Sequence, residues 1–217
     1  MRDYTHYRPS FLRRFLTVLL RIVVWILLDL KITGVENFPA TGPVLLISNH
    51  ISFLDPVLVV GLLPRPVVAM SKVENLDHKV MGLLARIFDA FPVRRGEVDR
   101  QALESSLRVL GAGLALWLSP EGTRSESGQL QRGLNGLAFI ATRSGAPIVP
   151  LAFSGTDRFK HNVRRLRRTP VKLVVGQPFY IGQENSRARG KALDAITDHA
   201  MRQIAALLPP EMRGVYT

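Results

Sequence analysis

Short apolar runs alternating with segments of helical spacing predict an α/β fold: a mixed, largely parallel sheet flanked by helices, preceded by an N-terminal amphipathic, membrane-interacting helical segment. Three observations carry this expectation. Val44–Ile47 and Leu114–Leu118 contain no polar residue, the pattern of strands buried on both faces. Helical stretches such as Asp99–Leu110, with Ala102, Leu103, Leu107 and Leu110 on one side, separate the apolar runs. The chain has 217 residues, 47% hydrophobic, enough for one substantial domain with a short appendage. The division expected is 1–33 for the appended segment and 34–217 for the main domain.

The elements follow in order. From Phe11 to Leu30 the chain is mostly apolar, and on a helix Ser10, Arg13, Arg14, Thr17 and Arg21 gather in a stripe about 100° wide. That pattern predicts a helix lying in a membrane interface with its basic stripe toward the headgroups. Spanning is disfavoured, because Arg21 would sit near the bilayer centre at a cost of roughly 2.5–3.5 kcal/mol. No small-residue cleavage pattern follows Leu30, so a cleaved leader is not expected. Gly34–Pro43 reads as a turn into a strand at Val44–Ser48. Pro56 suits the first position of a helix running to about Leu63, with Asp55 as its N-cap.

Further on, Val67–Ser71 and Phe91–Val93 predict short strands, with a helix over Lys79–Phe88 between them. Asp99–Leu110 is a helix closed by Gly111, and Leu114–Leu118 a buried strand. A helix over Gly133–Ser144, strands at Pro147–Phe153 and Val171–Gly176, and a final helix over Arg187–Leu208 complete the reading.

Charge and composition narrow the partners. A net charge of +12 favours a polyanion, either nucleic acid or an anionic membrane surface. A mean hydropathy of +0.12 and the N-terminal helix favour the membrane. The absence of cysteine excludes disulfides, thiolate metal sites and a cysteine nucleophile. No cluster has metal-ligand spacing, so neither metal nor cofactor is expected.

Three segments hold chemistry. His50 is followed five residues later by Asp55, and it alone of the five histidines has an acid at that offset. On a continuous helix these residues would face apart, but a strand-to-helix turn can bring them together. His50 would then be a general base whose ring Asp55 orients; the alternative is a satisfied turn histidine beside a capping aspartate. Gly122, Thr123, Arg124 and Ser125 follow a buried strand, where amides, hydroxyls and a guanidinium converge on an anion or simply form a turn. Arg94 and Arg95 end a short strand, as a phosphate clamp or as a solvated turn.

Taken together, Ser48–Pro56 (Ser-Asn-His-x-Ser-x-x-Asp-Pro), Phe91–Gly96, Pro120–Ser125 and Ala146–Pro150 appear in an order that resembles the four blocks of the glycerolipid acyltransferases, the family with a His-x4-Asp motif that includes 1-acyl-sn-glycerol-3-phosphate acyltransferases. The resemblance implies an acyltransferase domain that moves a fatty acyl group from acyl-CoA or acyl carrier protein to a lysophospholipid acceptor. On this likeness His50 and Asp55 are the catalytic pair, and Arg95, Glu121, Gly122, Thr123 and Arg124 bind the acceptor, whose phosphate Arg95 contacts. Pro147 and Pro150 would shape the site. Ser119 stands where an aromatic is common, and Arg94 where an acid is common. The extra cation at Arg94 would favour a phosphate monoester, or be exposed. The sequence does not identify the oxyanion donors required by this chemistry, and the backbone amides near Asn49–Ser52 are the candidates.

The product expected is phosphatidic acid, made by a protein bound peripherally or monotopically at the cytoplasmic face of a membrane. Another lysolipid acceptor, such as a lyso-ornithine lipid, is the alternative within the class. A non-catalytic basic protein binding membrane or nucleic acid is the alternative outside it, on the strength of the run Arg158–Arg168. Nucleic acid is not expected, because aromatic interleaving there is limited to Phe159 and the N-terminal stripe would have no use.

Overall fold

Val44–Ser48 (β2) lies near the middle of the sheet and is buried at every position, as its unbroken apolar run requires. In a computed structural model that describes residues 4, 7–182 and 188–217, β2 pairs in parallel with Ala115–Leu118 (β5) on one side and Ile148–Ser154 (β6) on the other. Val67–Lys72 (β3) and Phe91–Val93 (β4) continue the parallel sheet beyond β5. Beyond β6, Thr169–Val175 (β7) runs antiparallel, and Leu28–Thr33 (β1) pairs in parallel with β7 at the edge. The strand order is β1-β7-β6-β2-β5-β3-β4.

The period-two geometry of β2 divides the core between two faces. Val44 and Leu46 join Val24, Leu58, Val59 and Trp117 under Phe11–Leu27 (α1) and Leu54–Leu62 (α2). Leu45 and Ile47 join Val109, Leu137, Met201 and Ile204 on the other face, beneath Arg100–Gly111 (α5), Gly136–Ser144 (α6) and Lys191–Leu207 (α8). Short helices at Val73–Asp77 (α3), Lys79–Ile87 (α4) and Phe159–Arg164 (α7) fill the connections. The expected start of the last helix, Arg187, lies outside the described residues.

Two expectations for the N-terminal segment are corrected. The helix begins where Ser10 Oγ accepts the Arg13 N–H (3.1 Å), but it ends at Leu27 rather than Leu30. From Leu28 the apolar period changes to two, with Leu28, Leu30 and Ile32 turned inward relative to Asp29, Lys31 and Thr33, and the chain joins the sheet.

The second correction reverses the helix. Arg13 is buried, pairs with Asp89 (2.7 Å), donates to Val67 O (2.9 Å) and Phe88 O (3.1 Å), and meets the Tyr7 hydroxyl. Arg21 Nε donates to Gly61 O at 2.9 Å. The last carbonyls of α2 have no helical partner, and a cation suits that end of a helix, so the domain itself attracts Arg21, as Asp89 and the carbonyls of Val67 and Phe88 attract Arg13. Arg14 stays exposed. Phe11, Leu12, Phe15, Val18, Leu19, Ile22, Val23, Trp25 and Ile26 are left on the outer surface. No described helix is long and apolar enough to cross a membrane.

Candidate active site

Parallel strands place their C-terminal ends on one edge, so the segments after β2, β5 and β4 share that edge. His50 follows β2, Glu121–Ser125 follow β5 and Arg95 follows β4.

Asn49 fixes the exit from β2. Its side-chain oxygen accepts the Phe153 N–H (2.8 Å) and its amide donates to Phe153 O (2.9 Å), which locks the turn to β6. The chain then bends, and helix α2 starts at Leu54 instead of Pro56. Asp55 is therefore inside the first turn, and the N-cap position belongs to Phe53, which supplies no side-chain cap. The Asp55 carboxylate turns back instead. Its Oδ2 lies 2.9 Å from His50 Nδ1 and accepts the N–H groups of Ile51 and Ser52, each at 2.8 Å. Its Oδ1 accepts the Thr156 hydroxyl at 2.6 Å. Asp55 is fully buried.

This arrangement selects one form of the imidazole. A carboxylate oxygen already accepting two amide hydrogens faces Nδ1, so Nδ1 carries the hydrogen and neutral His50 keeps its lone pair on Nε2. Trp117 packs at right angles to the ring, with centroids 6.0 Å apart and planes at 89°, and the indole N–H is anchored on Ser48 Oγ (3.0 Å).

The segment after β5 grips the backbone of His50 from both sides. Glu121 Oε1 accepts the His50 N–H at 2.7 Å, and Ser125 N–H donates to His50 O at 2.7 Å. The other oxygen, Oε2, accepts the Gln131 N–H at 2.9 Å. Glu121 was expected among the substrate-binding residues, yet both its oxygens are turned to backbone amides. Burial raises its carboxyl from 4.5 to about 7 against the pull of those amides, and the Asp55 charge adds to the rise. Gly122 has φ +70°, and a Cβ there would lie 2.5 Å from Leu134 Cδ1, so this turn admits only glycine without a shift. Thr123 and Arg124 project to solvent beyond it.

Arg95 and Arg124 sense each other. Partial desolvation, although the side chain still reaches solvent, and next the Arg124 charge hold the Arg95 guanidinium below its ordinary value; Glu74 acts the other way. Among the described residues neither arginine forms a salt bridge. Two cations close enough to feel each other, neither of them salt-bridged and only Arg95 partly offset by Glu74, suit an anion. Arg94 is different: it is exposed, lies 3.9 Å from Glu97 and gives its own N–H to Asp99 (2.9 Å). The expected oxyanion donors need correction, because the amides of His50, Ile51 and Ser52 already serve Glu121 and Asp55. Thr156 was not anticipated; the only sequence sign of it is a Gly-Thr pair at the end of a buried strand.

A buried His–Asp pair at the strand ends of a parallel sheet, with two arginines on the same edge, is accompanied by a match to the Acyltransferase family over residues 29–154, and the chain is an enzyme of that family. Its relatives include the 1-acyl-sn-glycerol-3-phosphate acyltransferase of Bacillus subtilis (strain 168), 27% identical over 89% of this chain and 96% of that protein. The protein of the same name from Cocos nucifera is 32% identical over 73% of this chain, and the match covers 52% of its length. The crystal structure of the 1-acyl-sn-glycerophosphate (LPA) acyltransferase PlsC from Thermotoga maritima shares the fold with a TM-score of 0.67, at 23% identity over 90% of this chain and 80% of that one.

Proposed function

We propose that the protein transfers a fatty acyl group from acyl-CoA or acyl carrier protein to the sn-2 hydroxyl of 1-acyl-glycerol-3-phosphate, giving phosphatidic acid, with His50 as general base. The observation that carries this reading is the 2.9 Å contact of His50 Nδ1 with a buried, four-fold hydrogen-bonded carboxylate, which leaves Nε2 as the proton acceptor. The relatives' names supply the acceptor, and Arg95 with Arg124 supplies the matching positive charge.

In this mechanism Nε2 takes the hydroxyl proton as the oxygen attacks the thioester carbonyl carbon. The tetrahedral intermediate collapses with cleavage of the carbon–sulfur bond, and the leaving thiolate takes the proton from His50 Nε2 to depart as the thiol, which restores the neutral imidazole. Asp55 stabilises the transient imidazolium without itself taking a proton. Arg95, Thr123, Arg124 and the Gly122 turn hold the phosphate, while Glu121 keeps the His50 backbone in place. The outward apolar face of α1 enters the interface at the cytoplasmic face of a membrane, where the lysolipid resides. Helix α1 thus supplies the membrane contact and 34–217 the chemistry, with β1 joining the two.

The test is acyl transfer by purified protein, with labelled acyl-CoA and acyl carrier protein thioester against lysophosphatidate, lyso-ornithine lipid and lysophospholipids with larger headgroups. Lysophosphatidate should be the preferred acceptor, Arg95→Ala should raise its KM, and His50→Ala should lose at least about 100-fold in kcat. Absence of transfer by wild type to every acceptor, or full activity in a folded His50→Ala protein, rules the reading out.

A further inference from the structure

The run Arg158–Arg168 has no part in the chemistry above, and no acidic residue interrupts it. Arg158, Lys160, Arg164, Arg165 and Arg167 are exposed, and among the described residues none of them forms a salt bridge. At its tip stands Leu166, 97% exposed. The Arg167 N–H bonds to Asn162 O and the Leu166 N–H to Val163 O, each at 3.0 Å, which is a Schellman close to α7 with Leu166 at the left-handed position, φ +51°. Glycine ordinarily occupies that place because a Cβ is disfavoured there. A leucine that accepts a strained backbone and gains no packing contact points to a use outside the folded chain.

We propose that this loop is a second membrane contact, in which Leu166 enters the interface of an anionic bilayer and the surrounding cations bind lipid phosphates. The inference rests on the membrane reading of α1 given above and extends it to a new surface. Three features commit the loop to a bilayer. Five cations without a salt bridge complement anionic headgroups, and an apolar tip among them suits a surface that is charged outside and apolar beneath. The loop is also continuous with α1, because the Arg168 guanidinium donates to Trp25 O (2.9 Å) and Leu28 O (3.1 Å) at the end of that helix. Finally, the reversal between β6 and β7 puts the loop at the His50 edge of the sheet, where Phe159 packs on Phe53 (5.8 Å) and Lys160 lies over the same ring (5.5 Å).

The experiment is sedimentation of the full chain with vesicles of phosphatidylcholine alone or mixed with phosphatidylglycerol. Arg164→Ala combined with Arg165→Ala and Arg167→Ala should weaken binding to the mixed vesicles on the order of 100-fold and leave binding to neutral vesicles unchanged. Leu166→Gly should weaken binding to both about tenfold while unfolding at or above the wild-type temperature, since glycine suits the turn. Wild-type binding by either variant overturns the proposal, as does equal loss by the triple variant on both vesicle types. So does unchanged vesicle binding with a raised KM for acyl carrier protein thioester, which would make the patch a carrier-docking surface. Phe15→Ser with Trp25→Ser tests α1 separately: wild-type binding to neutral vesicles by that variant removes the α1 reading whatever the loop variants do.

Discussion

Replacing Glu121 by glutamine should change how the stability of the protein depends on pH. In the folded chain the carboxyl is raised from 4.5 to about 7, chiefly by burial. An unfolded glutamate releases its proton near 4.5, so between about pH 4.5 and 7 the folded state binds more protons than the unfolded one. Stability therefore falls as pH rises through that window. This contribution is complete below the unfolded value and gone above the folded one. At about 1.4 kcal/mol per pKa unit, the loss attributable to this one group is on the order of 3 kcal/mol. Glutamine has no proton to lose, so the advantage of wild type over Glu121→Gln should shrink by about that amount between about pH 4 and pH 8. Glutamine also offers one carbonyl and an NH2 that cannot accept, where even the protonated acid has a second oxygen for the backbone amides of His50 and Gln131, so the variant starts from lower stability at acid pH. Urea unfolding at a series of pH values, followed by tryptophan fluorescence, measures both effects. A wild-type-to-variant difference that stays constant across the range would refute the reasoning.

Thr156→Val should lower kcat about 10- to 100-fold with KM unchanged, because Asp55 Oδ1 loses its one hydroxyl donor, whereas Thr156→Ser should stay within about twofold of wild type; equal losses in both would show that the hydroxyl is not what matters. Arg13→Met should destabilise the fold by about 3–5 kcal/mol in thermal or urea unfolding, since it takes the cation from Asp89 and donors from two buried carbonyls. An unchanged transition would mean that α1 is not held by its arginines.

What the sequence discloses is what local geometry decides. The central strands are legible because a strand buried on both faces must be apolar almost throughout, as β5 is and as β2 is up to Ser48. The His50–Asp55 contact is legible because a turn closes it within five residues. Thr156 lies 101 residues from Asp55, and only the register of the sheet brings it there. The stripe on α1 is visible from its period, but which side meets the domain depends on acceptors from other elements, the free carbonyls of α2 for Arg21 and Asp89 with the Val67 and Phe88 carbonyls for Arg13, and no pattern within α1 encodes them. The change from helix to strand at Leu28 hides inside an apolar stretch, where only the shift to period two reveals it. The pairing of Arg95 with Arg124 needs β5, β3 and β4 to lie side by side, which is a fact of strand order.

The antiparallel pairing of β6 with β7 also links parts of the molecule mechanically. A parallel crossover would have carried the chain to the far end of the sheet, but this connection stays at the end of the sheet from which His50 emerges. One end of it holds the Asp55 carboxylate through Thr156, and the other grips the last carbonyls of α1 through Arg168. Helix α1 and the Asp55 carboxylate are therefore anchored on the same connection between β6 and β7. The seating of α1 and the hydrogen bonding of Asp55 thus draw on one length of chain.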